Sequence, residues 1–178
     1  MIKGWHFTTD TLRDGSPIPR VGKWLHYSGK LVMCKSGLHY SLQPFDALQY
    51  APGNILHYVE VKGEVLTQDD KGCSHYRRIV ASMDATEMLR YYARMQAISC
   101  LDKGTREPEQ IVLDWLMTGD ESIRAAAYSA AWSAANSACW AAYSAYWAAN
   151  SANSANSAWS AAREEFNALV YECFEACL

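Results

Sequence analysis

Histidines and arginines are the groups in this sequence best able to bind or react with a ligand near neutral pH. His6 stands between Trp5 and Phe7 in the run Gly4-Trp-His-Phe-Thr8, and His39 precedes Tyr40 in Gly37-Leu-His-Tyr-Ser41. Each is either a ligand contact or a hydrogen-bonded structural histidine. His57 alternates with Ile55, Val59 and Val61 and reads as structural. Arg77 and Arg78 follow the Asp69–Gly72 loop, and guanidinium groups are good phosphate donors. Adjacent strand residues point to opposite faces, so at most one of the two faces a given site. Arg20, with Lys23 beyond Gly22, is a further anion-contact candidate.

Other chemistry is poorly represented. Cys34, His39, Cys73 and His75 have zinc-binding side chains, but their spacings match no zinc motif and no metal is expected. There is no glycine-rich phosphate loop, nucleophile elbow or HExxH run. A formal net charge of −3 with no basic cluster argues against nucleic acid as a partner. The N-terminus MIKGWHFTTD has no apolar signal-peptide core, and the six cysteines are irregularly spaced, so reduced thiols in a cytoplasm are expected.

The elements that must hold these residues fall into two compositional regions. All ten glycines lie at or before Gly119 and all five prolines at or before Pro108. Residues 1–83 predict a small mixed or antiparallel β-sheet domain, and residues 84–178 a helical region, giving an α+β chain. The expected strands cover Ile2 to Thr8, Trp24 to Tyr27, Leu31 to Cys34, Gly37 to Ser41, Asn54 to Val65 and Tyr76 to Ala81. Pro44 opens a short helix running through Tyr50.

Helices are expected near 84–101, 107–118, 120–149 and 157–177. Asp84-Ala-Thr-Glu87 is a cap-like start, Pro108 opens the second helix and Gly119 ends it. From Ala125 to Ala162 no residue is charged, but the abundance of serine and asparagine and the lack of Leu, Ile, Val and Phe argue against a membrane span. This Ala/Ser-rich stretch forms a long helix or a helical hairpin, with Asn150 to Asn156 expected as the break. Apolar spacing resumes at Trp159, Ala162, Phe166, Leu169, Cys173 and Cys177. Trp140, Tyr143 and Trp147 make a second aromatic stripe, suited to a host protein or to self-association.

The stretch from Ser36 to Tyr50, followed by Asn54 to Lys62, resembles the central strand–helix–strand unit of ADP-ribosyltransferase-like folds. Gly4 to Thr8 is similar to the first strand of that family, with its His-x-Thr motif. The layout also resembles uncharacterised phage-encoded proteins in which such a domain precedes an alanine-rich helical tail. The resemblance spans about residues 2–81. It implies NAD or ADP-ribose binding, with His6 and Thr8 at the nicotinamide ribose and His39 or Tyr40 at the position that stacks on nicotinamide. The family's catalytic glutamate has no counterpart here: Glu60, Glu64 and Glu87 are not at its position, so turnover is left open beside binding. The competing expectation is a non-enzymatic interaction module or inhibitor that uses the aromatic helices.

Overall fold

The computed structural model describes residues 1–101, 110–127, 129 and 152–175. It is an α+β chain built on a five-stranded antiparallel sheet. The strands are β1 (Ile2–Thr8), β2 (Trp24–His26), β3 (Leu38–Tyr40), β4 (Ile55–Thr67) and β5 (Gly72–Asp84). The described helices are α1 (Pro44–Leu48), α2 (Thr86–Leu101), α3 (Gln110–Thr118) and α4 (Ala152–Glu175). There are two compact units. One comprises residues 1–87 with the part of α4 from Arg163 onward, and the other lies between Met88 and Ala162.

In the first unit the path β1-β4-β5-β2 is continuous, and β3 pairs with the start of β5. β1 lies against β4 in a register that sets His6 opposite His57. A bridge between Trp5 and Ser41 brings the end of β3 back to β1, with N···O distances of 2.8 and 2.9 Å. The register between β4 and β5 shifts at Tyr58/Val59 and again at Lys62/Val65. Such bulges increase local twist and bend the sheet.

Tyr40, Val59, Val61 and Ile79 form a buried cluster, with Ile18 and Val65 against it. Tyr40 fits because two of its neighbours lack side chains. A Cβ at Gly4 would lie 2.7 Å from Tyr40 Cδ2, and one at Gly72 would lie 2.6 Å from Tyr40 Cζ.

The other face of β1 and β4 is covered by the end of α4. Phe166, Val170 and Phe174 recur at intervals of four residues and are fully or almost fully buried. Phe174 meets Trp5 edge-on at 5.0 Å between ring centres, and Phe166 meets Phe45 at 5.7 Å. Two polar ties fix the helix to α1. Gln43 makes no side-chain capping bond, and the Phe45 N–H instead donates to Asn167 Oδ1 at 2.9 Å. Arg163 bonds the buried Asp46 carboxylate at 2.7 Å. Burial raises the Asp46 pKa, and the guanidinium opposes that rise.

Several sequence expectations change here. Leu31 to Cys34 is not a strand. Val32 and Ser36 bond each other through their backbones, and Cys34 adopts φ 62°, so the segment folds on itself. β5 extends beyond Tyr76 to Ala81 at both ends, because β4 pairs with it from Gly72 to Asp84. Residues 152–156 are helical, so the break expected over Asn150 to Asn156 does not reach beyond residue 151. The boundary at residue 83/84 grouped all later helices together. The end of α4 joins the sheet unit instead, through the buried Phe166–Phe174 stripe.

In the second unit Tyr92 donates to the Ala162 carbonyl at 2.7 Å. Gly119 ends α3 at φ +70°, with its N–H on the Trp115 carbonyl at 2.8 Å. The Asp120 carboxylate accepts the Ser122 N–H at 2.8 Å, and a helical turn follows over 124–127. Trp140, Tyr143, Trp147 and most of the helix expected over 120–149 lie outside the described residues. Among the described residues no helix is long and apolar enough to cross a membrane.

Candidate functional site

The sheet unit contains a cleft of about 860 Å³, within the size range of cofactor sites. It is bounded by β1, β3, the 9–14 loop, the 34–37 turn and the segment around Tyr50. His6 and Thr8 of β1 and His39 of β3 all line it, and the Trp5–Ser41 bridge accounts for their proximity. Arg13, Lys35, Lys71 and Arg77 also line it, against a single carboxylate, Asp14. That carboxylate is held in its own loop by the Ser16 N–H at 3.0 Å and the Ser16 hydroxyl at 2.6 Å. These bonds, the hydroxyl's first, lower its pKa.

Arg77 is 5 % exposed. The β5 register places it opposite Val61 and Leu25, on the face that also carries the cleft, whereas Arg78 lies opposite Glu60 and Trp24. Arg78 gives Glu60 Oε2 two hydrogen bonds, at 2.8 Å from Nε and 2.6 Å from Nη2. Arg77 donates from Nη1 to the His39 carbonyl oxygen. No carboxylate among the described residues pairs with it. Desolvation lowers its pKa to about 10, so the guanidinium stays protonated at neutral pH. A buried cation without a counter-charge is costly, and it attracts any anion that reaches it.

The three histidines around this cation differ in what their rings do. His57 is fully engaged, with Nε2 at 2.8 Å from the Thr8 hydroxyl and Nδ1 at 2.6 Å from the Ser82 hydroxyl. Burial, then Arg77, lowers its pKa to about 4. His39 Nε2 accepts the Cys34 backbone N–H at 3.1 Å. A backbone N–H can only donate, so the neutral His39 ring carries its hydrogen on Nδ1. Burial and Arg77 lower its pKa, and a backbone hydrogen bond with Gly37 acts the other way. His6 has no ring hydrogen bond among the described residues. Burial, Arg77 and its two histidine neighbours hold its pKa well below the ordinary value. His6 is thus a neutral imidazole facing the cleft with donor and acceptor both available.

The other sequence candidates separate clearly. Thr8 is buried, and its hydroxyl serves His57 and the Thr9 carbonyl. Tyr40 is 2 % exposed and packs in the core beneath the cleft, leaving His39 as the accessible member of that pair. Arg20 is exposed and lies outside the cleft lining.

Sequence reasoning did not single out Tyr50 and Lys71. The Tyr50 hydroxyl donates to Asp70 and accepts from Lys71 Nζ at 3.0 Å. That bond heads the causes that raise the Lys71 pKa. The alternation of β5 could have selected Arg77 over Arg78 only once Glu60 was known to lie opposite the latter. No group of three or more His, Cys, Asp or Glu among the described residues could hold a metal ion.

No curated protein and no solved structure matches this chain. Residues 2–91, which include every residue lining the cleft, match the family described as Domain of unknown function (DUF7666), and the chain belongs to that family.

Proposed function

We propose that the sheet unit binds a nucleotide of the NAD or ADP-ribose type in the cleft between β1 and β3. The observation that carries this reading is the meeting, in one cleft of about 860 Å³, of the His6 ring, the His39 strand and the buried Arg77 guanidinium. A nucleotide diphosphate needs cations for its phosphates and neutral donors and acceptors for its ribose hydroxyls. Arg13, Lys35, Lys71 and Arg77 offer the first, and the neutral His6 imidazole offers the second. The resemblance of Gly4–Thr8 and Ser36–Tyr50 to ADP-ribosyltransferase-like folds suggests the same ligand class.

Binding without transfer is the reading preferred here. The cleft's carboxylate, Asp14, is tied to Ser16, and the Glu60 carboxylate is held by Arg78. Calorimetric titration of the full chain with NAD and with ADP-ribose tests binding. Saturable heat with either ligand, weakened at least tenfold in His6→Ala, is expected. Flat titrations with both ligands would remove the proposal. Incubation with labelled NAD and cell lysate tests transfer, and label appearing on protein would show that the site turns over.

A further inference from the structure

Arg77 is a buried cation for which the fold supplies no counter-ion. It is 5 % exposed, lines the cleft, and gives one described hydrogen bond, to the His39 carbonyl. The other arginines with described ion pairs differ. Arg78 is bonded to Glu60, Arg163 to Asp46, and Arg124 to Glu121. A guanidinium has more N–H groups than one carbonyl can satisfy, set in a planar fork that matches two oxygens of one phosphate. Its bond to His39 O keeps the fork fixed in direction, while β3 and β5 are paired through their own backbones from Leu38 to Tyr40.

We infer that Arg77 is the specificity-determining anchor of the cleft, and that it selects ligands by a phosphate group seated beside His6 and His39. This deepens the nucleotide reading and rests on it. The ligand class becomes phosphorylated nucleosides, with the phosphate rather than the base or ribose supplying most of the discrimination. Lys35, Lys71 and Arg13 draw the anion in from solvent, and Arg77 fixes it. His6 and His39 are held neutral and do not compete with Arg77 for the anion's charge.

The experiment is a set of calorimetric titrations on the full chain, using ADP-ribose, adenosine and inorganic pyrophosphate. ADP-ribose is expected to bind at least 100-fold more tightly than adenosine, with pyrophosphate displacing it. Arg77→Met, close in shape and uncharged, is expected to abolish that preference while its melting temperature stays at or above that of the wild type. Arg77→Lys should restore part of the preference, because it returns the charge without the fork. A merely structural Arg77 would give the opposite pattern: lower melting temperatures in both variants and an unchanged ligand preference.

If adenosine binds as tightly as ADP-ribose, the anchor is wrong while the nucleotide reading stands. If pyrophosphate binds and ADP-ribose does not, the nucleotide reading fails and the anchor survives. Binding of none of the three overturns both. Should Arg77→Met fail to fold, the wild-type ligand series and Arg77→Lys still decide the matter.

Discussion

The two faces of the sheet show opposite ways of treating buried polar groups. Where α4 covers the sheet and α1, the buried polar groups are met by opposite partners: Asp46 by Arg163, and the Phe45 N–H by Asn167. The packing around them is rich in aromatic rings, with Trp5, Tyr58, Phe166 and Phe174 in ring contact or buried. On the cleft face, Arg77 is buried without a carboxylate, and the half-buried His6 has no ring partner among the described residues. A folded chain tolerates such groups only when stability comes from elsewhere, and here the covered face contributes it. The sheet is closed on one side by the end of α4 and opens on the other into the cleft.

The largest effect is expected from damage to the closed face. Phe174→Ala removes a ring that is 1 % exposed and packed against Trp5 and Tyr58. A loss of about 3–5 kcal/mol in unfolding free energy is expected, measured by urea denaturation. Ligand titrations at temperatures where the variant remains folded should match the wild type. A loss under about 1 kcal/mol would mean that α4 is not needed to close the sheet.

The open face should be visible in the pH dependence of stability. His57 has a folded pKa of about 4, against an ordinary 6.5. The unfolded chain therefore binds its proton first as pH falls, so stability drops between pH 6.5 and about 4 and levels off below. The contribution is about 3 kcal/mol over that window. His6 and His39 are shifted in the same direction and add to the slope. His57→Gln keeps a polar side chain between Thr8 and Ser82 and should flatten the curve. An unchanged slope in that variant would assign the effect to other groups.

Parts of this arrangement were legible in the sequence for plain geometric reasons. Period-two alternation separated Arg77 from Arg78, and the same alternation put His57 among core residues. The resemblance implies that the His6 and His39 strands flank one site; β1 pairs with β4 and β3 with β5, and the isolated Trp5–Ser41 bridge brings the end of β3 back to β1. Other features depend on contacts that sequence spacing does not record. Leu31 to Cys34 is a short apolar run that reads as a strand, yet Cys34 at φ 62° turns the chain, and its N–H is what occupies His39. Asn153 and Asn156 read as a break because polar residues there occupy positions where the helical spacing calls for apolar ones, yet residues 152–156 are helical. Of the apolar spacing Trp159, Ala162, Phe166, Leu169, Cys173 and Cys177, Phe166 belongs to the buried stripe, and the members beside it are Val170 and Phe174. Which helix would close the sheet was a long-range question that local periodicity could not answer.

A smaller effect tests how α4 is fastened. Asn167→Ala leaves the Phe45 N–H at the start of α1 without its acceptor. A capping loss of about 1 kcal/mol is expected in denaturation experiments, with ligand binding unchanged. Asn167→Asp should retain most of the bond, since a carboxylate oxygen also accepts and favours a helix start.

The smallest expected effect is the most discriminating, because it concerns two neighbours. Arg78 and Arg77 adjoin in the chain and occupy opposite faces of the sheet, with different burial and partners. The Arg78 side chain is 33 % exposed and bonded to Glu60, which is 13 % exposed, and its guanidinium carbon lies 4.9 Å from the Trp24 ring centre. Partly solvated pairs of this kind contribute about 0.2–1 kcal/mol. Arg78→Met should therefore lower stability by no more than about that amount and leave every ligand titration unchanged. If Arg78→Met weakened ADP-ribose as much as Arg77→Met, general positive charge rather than a fixed guanidinium would govern binding. The contrast between the two faces would then have no bearing on the ligand.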